Sequence, residues 1–439
     1  TNTSFYTLSL HDALPISGQD CPKGYKSCDG YRIPKEWHIV RFDSLFSRVT
    51  RKNDENNQNV LTISAQQGLI SQIEYYNTLY ASENKTGYTL LHRGDFSYNK
   101  SYSSGYAYGA IKRLNAYEKG IVSPLYLCFT PRQGVNSDFY LQYFEAGCFD
   151  REIYKIAQEG ARNHGLLNVS TEDFFHSMLV FPPLEEQERI TEILTQCDHV
   201  IELKEQKLDE LKQLKKEFLR KMFPAKGCDT PEIRFPGFTG AWEQRKLGNI
   251  SDFITKGATP TTYGFSWESS GIPFFRNDSI KNNVFVFGEF SYISEAANEA
   301  LKRSEVQEDD ILIAITGEIG KVGIIPASVK KANINQHTAR IRIHKDALPY
   351  FVYQYLASDE TQKEYQKIKT GISMPQLSLE QVRKIAIRIP EEDEQKRIAE
   401  CLSNLDTFIT LHQRELEETK TYKKTLAKLL LTGIVRVQG

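Results

Sequence analysis

The chain has 439 residues and a mass of 50.4 kDa, a length that suggests about three folding units. Forty per cent of residues are hydrophobic and 25% charged, as in an ordinary soluble globular protein. Lys plus Arg total 55 against 56 for Asp plus Glu, so neither a strongly basic DNA coat nor an acidic disordered chain describes the whole.

In chain order, residues 1–18 have no initiator Met and follow no periodic pattern, so 1–22 read as a leader, either non-native or disordered. Residues 23–183 form the first globular region. They are rich in Tyr, Phe and β-branched residues, with turn signals at Asn99, Gly105, Gly109 and Gly120. Residues 184–226 form a helical spacer. Residues 227–390 form a second globular region, in which the apolar run 311–317, the segment 347–368 (one amphipathic helix) and several short strands stand out. Residues 391–439 form a second helical spacer. No apolar stretch reaches a membrane-spanning length, since the best candidate, 311–329, is broken by Glu318 and Lys321. The seven cysteines form no C-x-x-C pair, which argues against a disulfide framework and a zinc site and suits a reduced cytoplasmic protein.

The main signal is an internal repeat. Residues 181–224 align without a gap on 389–432 at an offset of 208. Identities include Glu186/Glu394, Gln187/Gln395, Ile190/Ile398, Leu194/Leu402, Asp198/Asp406, Ile201/Ile409, Leu208/Leu416 and Lys215/Lys423. The match extends upstream to 166–174 against 374–382, and Trp37 echoes Trp242. Both terminal segments carry apolar residues at 3–4 spacing. In the first these are Ile190, Leu194, Ile201, Leu208, Leu211 and Phe218, interrupted by Lys204 and Lys215; in the second, Ile398, Leu402, Leu405, Ile409, Leu416 and Leu426. Acids crowd both N-termini and bases both C-termini, as the helix dipole favours. A helix of about 38 residues spans about 57 Å, too long for one small domain to bury its stripe. The two helices are therefore expected to pair as an antiparallel coiled coil, and the fold class is mixed α/β (α+β) around them.

No enzyme motif survives inspection. The segment 314–322 lacks the first glycine and the final Ser/Thr of a phosphate loop. Phe181-Pro182-Pro183-Leu184 has the prolines of an amino-methyltransferase loop without its polar first and aromatic last residues. Asp309, Asp310 and Glu318 precede a Lys at the wrong spacing for a metal-dependent nuclease, and the nine histidines show no ligand pairing.

The segments 233–250 (IRFPGFTGAWEQRKLGNI), 254–262 (ITKGATPTT), 315–323 (ITGEIGKVG), 335–341 (NQHTARI), 371–382 (GISMPQLSLEQV) and 389–402 (IPEEDEQKRIAECL) resemble the specificity subunit of Type I restriction–modification systems. In the first half, 33–37, 98–114, 162–170 and 181–190 resemble the same family, so the likeness covers nearly the whole chain from about residue 23. It implies two target recognition domains, each reading one half of a bipartite, asymmetric DNA site, and two helical spacers that act as a ruler. It implies no catalysis and no cofactor in this chain. The partners would be double-stranded DNA, two DNA methyltransferase subunits and two motor–endonuclease subunits, with no membrane. Those partners would use S-adenosylmethionine, ATP and Mg2+ to methylate adenine at N6 and to cut DNA. A recognition subunit serving a fused methylase–nuclease, a complete DNA methyltransferase (against which the missing motif loops argue) and a coiled-coil adaptor that binds no DNA are the rival readings.

Direct readout favours Arg, Lys, Asn and Gln at base edges. On that basis the DNA-binding candidates in the first domain are Tyr98, Asn99, Lys100, Ser101, Tyr102, Lys112, Arg113, Arg162 and Asn163, with a tyrosine-rich strand pair as the other reading of 98–113. In the second they are Lys256, Thr259, Thr261, Arg276, Asn277, Thr316, Gly317, Lys321, Asn335, Gln336, Lys369, Thr370 and Ser373, where the 316–317 and 335–336 pairs also suit a purely geometric role.

Overall fold

The computed structural model describes residues 21–64, 67–78, 80–101, 105–157, 167–281, 283–288, 290–344, 346–371 and 375–437. The candidates Tyr102, Arg162, Asn163 and Ser373, and the leader up to residue 20, lie outside them.

In chain order, the elements that organise the molecule are strands β1 (His38–Arg41), β2 (Phe46–Arg48), β3 (Phe96–Asn99), β4 (Ala110–Arg113) and β5 (Leu127–Pro131), helix α1 (Ser137–Glu145), strand β6 (Met178–Phe181) and the 38-residue helix α2 (Leu184–Lys221). There follow β7 (Glu243–Lys246), β8 (Ser251–Lys256), β9 (Ile311–Ala314), β10 (Val322–Ile324), β11 (Thr338–Ile343), α3 (Pro349–Ala357), β12 (Ala386–Ile389) and the 40-residue helix α4 (Glu392–Leu431).

The compact units cut across the repeats. One comprises the chain up to Leu203 together with everything from Leu416; the other is Lys204–Glu415. Both have the same plan. The first holds an antiparallel sheet ordered β2-β5-β3-β4 and a closing pair β1-β6; the second holds β8-β11-β9-β10 and a closing pair β7-β12. The same serine cap recurs in each. Ser170 Oγ accepts from the Asp173 amide at 3.0 Å, and Ser378 Oγ from the Gln381 amide at 3.1 Å.

Cores follow composition. The first is aromatic: Phe42, Phe46, Phe96, Phe129, Phe144, Phe149 and Phe174 are buried, with tilted or edge-on rings such as Phe42–Phe129 at 4.9 Å and Phe46–Phe96 at 5.8 Å. Ile190 and Leu194 of α2 and Ala427, Leu430 and Leu431 of α4 complete it. The second core is aliphatic, built on Ile311, Ile313, Val322, Ile341, Val352 and Leu356. Ile398 and Leu402 of α4 and Met222 and Phe223, just beyond α2, complete it. Each unit therefore buries the start of one long helix beside the end of the other.

The two helices pack together, and charged residues set their register within each unit. In the first, Lys423 Nζ lies 2.5 Å from Asp198, which also accepts from Gln142 of α1 at 2.8 Å. In the second, Lys215 Nζ lies 2.6 Å from Asp406, which also accepts from Gln354 and Tyr350 of α3 at 2.7 and 2.6 Å. Lys204 meets Glu415 at 3.0 Å. The lysines that interrupt the apolar stripe are thus seam residues whose acids come from the opposing helix.

One expected element divides. The segment read as a single helix over 347–368 forms α3 and a second helix, Asp359–Ile368, because Ser358 is extended (φ −65°, ψ 150°). Its hydroxyl donates to the Tyr355 carbonyl at 2.7 Å, and Asp359 and Glu360 supply the acids of a new first turn.

Asp406→Ala leaves Lys215, Gln354 and Tyr350 without their shared acceptor. The expected loss is about 1–3 kcal/mol in urea unfolding. Adding Lys215→Met, which removes the stranded cation, is expected to restore part of it.

Candidate nucleic-acid interface

In the second unit, antiparallel pairing of β8, β9, β10 and β11 brings four chain crossings to one end of the sheet. Lys256 pairs with Ala339, Ala314 with Thr338 and Ile313 with Val322, so the loops after β8 and β9 and before β11 meet there. Gly257 permits the closest approach. A Cβ at this position would stand 1.8 Å from the Ile334 carbonyl oxygen, so only glycine lets the loop after β8 lie on the 334–338 turn.

Side chains and amides tie these loops together. Asn277 Nδ2 donates to the Thr316 carbonyl at 3.0 Å, the Asn335 amide to the Phe275 carbonyl at 3.1 Å, and the Ile315 amide to the His337 carbonyl at 2.9 Å. The Gly317 amide donates to the Pro375 carbonyl at 3.2 Å, and Thr370 exchanges two backbone bonds with Gln376. Lys256, Thr259, Asn277, Thr316, Gly317, Asn335, Gln336 and Thr370 therefore share one rim, from strands and turns far apart in sequence.

Their environments differ. Asn335 is buried and its Oδ1 accepts from the His337 amide and the Thr338 hydroxyl, so it shapes the turn. Gln336 is exposed, as are Lys256 and Thr261. The Arg276 guanidinium lies over the Trp267 ring, 5.3 Å from its centroid, and donates to Ser291 Oγ at 2.9 Å. Lys321 is paired with Glu318 at 2.5 Å, and Lys369 donates to Gln366 at 2.7 Å. His337 and Trp267 were not among the sequence candidates; His337 lies within the 335–341 segment, behind the Asn-Gln pair that direct readout favours, and Trp267 belongs to no motif.

The first unit has the equivalent sheet end at the β3–β4 connection, and here several expectations change. Tyr98 is fully buried. Its ring stacks on Phe174 at 5.2 Å and its hydroxyl donates to the Tyr108 carbonyl at 2.8 Å, so it belongs to the aromatic core and offers no surface to a duplex. Lys112 is also buried, with its ammonium 2.7 Å from both Glu145 oxygens of α1; the charge read as a DNA contact is paired inside the domain. Arg113, at the far end of β4, is held by Ser137 Oγ at 2.8 Å and by Asp138 at 2.6 Å. Burial lowers the Lys100 ammonium below the usual lysine range while it donates to the Val169 carbonyl at 2.8 Å. Asn99 and Ser101 stay at the sheet end, bonded through Asn99 Oδ1 and the Ser101 amide at 3.0 Å. The tyrosine-rich strand reading thus describes 98–113 better than a reading loop does.

Glu186 and Glu394, identical in the repeats, anchor the two helix starts. Within the first unit, Glu186 accepts from Trp37 Nε1 at 2.7 Å and from Arg436 through two bonds of 2.6 and 2.9 Å. Within the second, Glu394 accepts a two-bond grip from Arg234 at 2.6 and 2.7 Å. Neither arginine is found by aligning the repeats, since each follows the other repeat's helix. Among the described residues no group of His, Cys, Asp and Glu could hold a metal ion, and no helix is long and apolar enough to cross a membrane.

Comparison with known proteins agrees with this geometry. A family profile described as the Type I restriction modification DNA specificity domain matches twice, at residues 34–213 and 240–421. The chain is 24% identical over 436 residues to the Type I restriction enzyme MjaVIII specificity subunit of Methanocaldococcus jannaschii, covering 95% of this chain and 97% of that protein. It is 29% identical over 318 residues to the putative MjaX specificity subunit of the same organism, covering 71% of each. Among solved structures, a chain from a study of complex assembly in a type I R-M system superposes with a TM-score of 0.59 at 16% identity, covering 92% of this chain and 100% of that one. The S subunit from M. genitalium superposes with a TM-score of 0.51 at 14% identity, covering 90% and 96%.

Lys112→Met removes an internal ion pair and leaves Glu145 beside Tyr106. It is expected to cost about 1–3 kcal/mol in stability, read as a lower melting temperature, without changing any base preference of the protein.

Proposed function

This chain belongs to the Type I restriction modification DNA specificity family, and from that membership we infer that it is the DNA-reading subunit of a restriction–modification complex. The observation that carries the reading is a contrast. Two units share one sheet order and one serine cap, yet carry unlike sequences in the loop that joins the third and fourth strands of the order at the corresponding sheet end, 100–109 in the first and 315–321 in the second. Shared scaffolds with divergent loops are how one architecture addresses two different sequences. Each domain reads a short half-site through base edges, while phosphate contacts set register without carrying sequence information. The loops differ, so the half-sites differ and the whole site is split and asymmetric.

The chain performs no chemistry of its own. Two methyltransferase subunits dock on it, flip the target adenines out of the stack and methylate N6 with S-adenosylmethionine. Two motor–endonuclease subunits that use ATP and Mg2+ complete the complex, and the assembly acts in the cytoplasm, where its DNA lies. Residues 184–224 carry 10 acids and 8 bases and 391–431 carry 9 and 7, so the long helices are acidic and the remainder only mildly basic. Phosphate neutralisation then falls mainly to the partners, and DNA binding by this chain alone is weak, with a shallower salt dependence than that of the assembled complex.

The test is to exchange residues 23–183 for the corresponding domain of another family member and map methylated adenines in a host that also expresses the methyltransferase partner. One half of a split motif is expected to change while the other half persists. A motif that changes in both halves, or one that is a continuous palindrome, contradicts the reading.

A further inference from the structure

Gln336 stands on the second unit's rim with its amide held from two sides. Thr259 Oγ1 lies 2.7 Å from Gln336 Oε1, and Gln336 Nε2 lies 3.0 Å from His337 Nε2. A surface glutamine ordinarily samples several rotamers, and fixing one costs side-chain entropy. Here both neighbours stand on main chain that is itself held. The His337 main chain is pinned by Asn335 Oδ1 at 3.2 Å and by the Ile315 amide at 2.9 Å, and Gly257 sets the Thr259 loop directly against this turn.

The count of donors and acceptors decides what such an amide is for. A primary amide has two N–H donors and two lone pairs. Thr259 donates to one lone pair and His337 accepts one N–H. One donor and one acceptor remain, side by side. With the amide turned over and His337 in its other tautomer, Thr259 accepts and His337 donates, and the remainder is again one donor and one acceptor. In the major groove only adenine offers the matching acceptor–donor pair to a glutamine, at N7 and N6.

We propose that Gln336 is a specificity-determining residue that reads an adenine in the half-site of the second domain, with Thr259 and His337 as its positioning residues. The proposal rests on the DNA-reading function inferred above and adds which residue reads which base. It also separates the two members of the Asn-Gln pair: buried Asn335 builds the turn, exposed Gln336 faces outward.

The test is methylated-motif mapping with the full chain and its methyltransferase partner. In the Gln336→Ala variant one A·T pair in one half-site is expected to become degenerate, with preference falling roughly ten- to hundredfold. In Gln336→Glu the same position is expected to move toward C·G, because a carboxylate accepts from the cytosine amino group. Thr259→Val and His337→Phe, which leave the reading group in place, are expected to relax that same position partly. All other positions persist, and the melting temperature of the Gln336 variants stays at the wild-type value. A split motif indifferent to both Gln336 variants overturns the proposal. So does relaxation at a position that is not adenine in the wild type, or loss of all methylation by all four variants, which would assign the trio to loop folding. A wild-type complex that methylates no split motif removes the underlying reading and this inference together.

Discussion

The structure depends on a constraint of length. An apolar stripe along a helix of about 57 Å exceeds what one domain of this size can cover, so each long helix must find a second partner. That partner is the opposing helix, and the match is enforced by charge. Asp198 and Asp406 occupy equivalent positions in the two repeats, and each receives a lysine from the other helix and a glutamine from the helix packed beside it. A half-buried carboxylate with several donors is strongly favoured in place and costly to strand, so a slip of the pairing by one turn would cost several kcal/mol across the two sites. The apolar seam supplies the driving force; the acids and lysines supply the register.

This arrangement explains why folding units and repeats do not coincide. Ile190 and Leu194 share a core with Ala427, Leu430 and Leu431, while Ile398 and Leu402 share the other with Met222 and Phe223. The buried glutamates follow the same rule: Glu186 is gripped by Arg436, which follows α4, and Glu394 by Arg234, which follows α2. Each globular domain of this chain is thus built on helix segments from both of its halves. The near-zero net charge is likewise an average, of acidic helices and a mildly basic remainder.

Much of the fold was legible in the sequence for a simple reason. The repeat exposes the helices, their stripe and their caps, and identities between repeats mark structural duty. Asp198/Asp406, Lys215/Lys423 and Glu186/Glu394 were all visible as identities, although the pairings were not, because each partner sits on the other helix or beyond its end. The break at Ser358 was concealed by an apolar pattern that runs on through it. The site was less legible, and unevenly so. In the second unit the candidates were legible as loop residues, since glycines and polar pairs at strand ends mark turns regardless of their role, but their meeting on one rim follows from sheet pairing that the sequence does not display. In the first, Tyr98 and Lys112 looked like a reading surface only because sequence does not reveal which face of a strand is buried. A lysine paired inside a domain with Glu145 has the same letter as one facing phosphate.

The most direct test of this account is amide hydrogen exchange on the Leu194→Ala variant. Leu194 lies in α2, in a core shared with the end of α4. The account predicts lost protection in residues 426–431, which belong to the other repeat, while residues 208–221 of the same helix keep theirs. Loss of protection running along α2 to residue 221, with 426–431 unchanged, would contradict it.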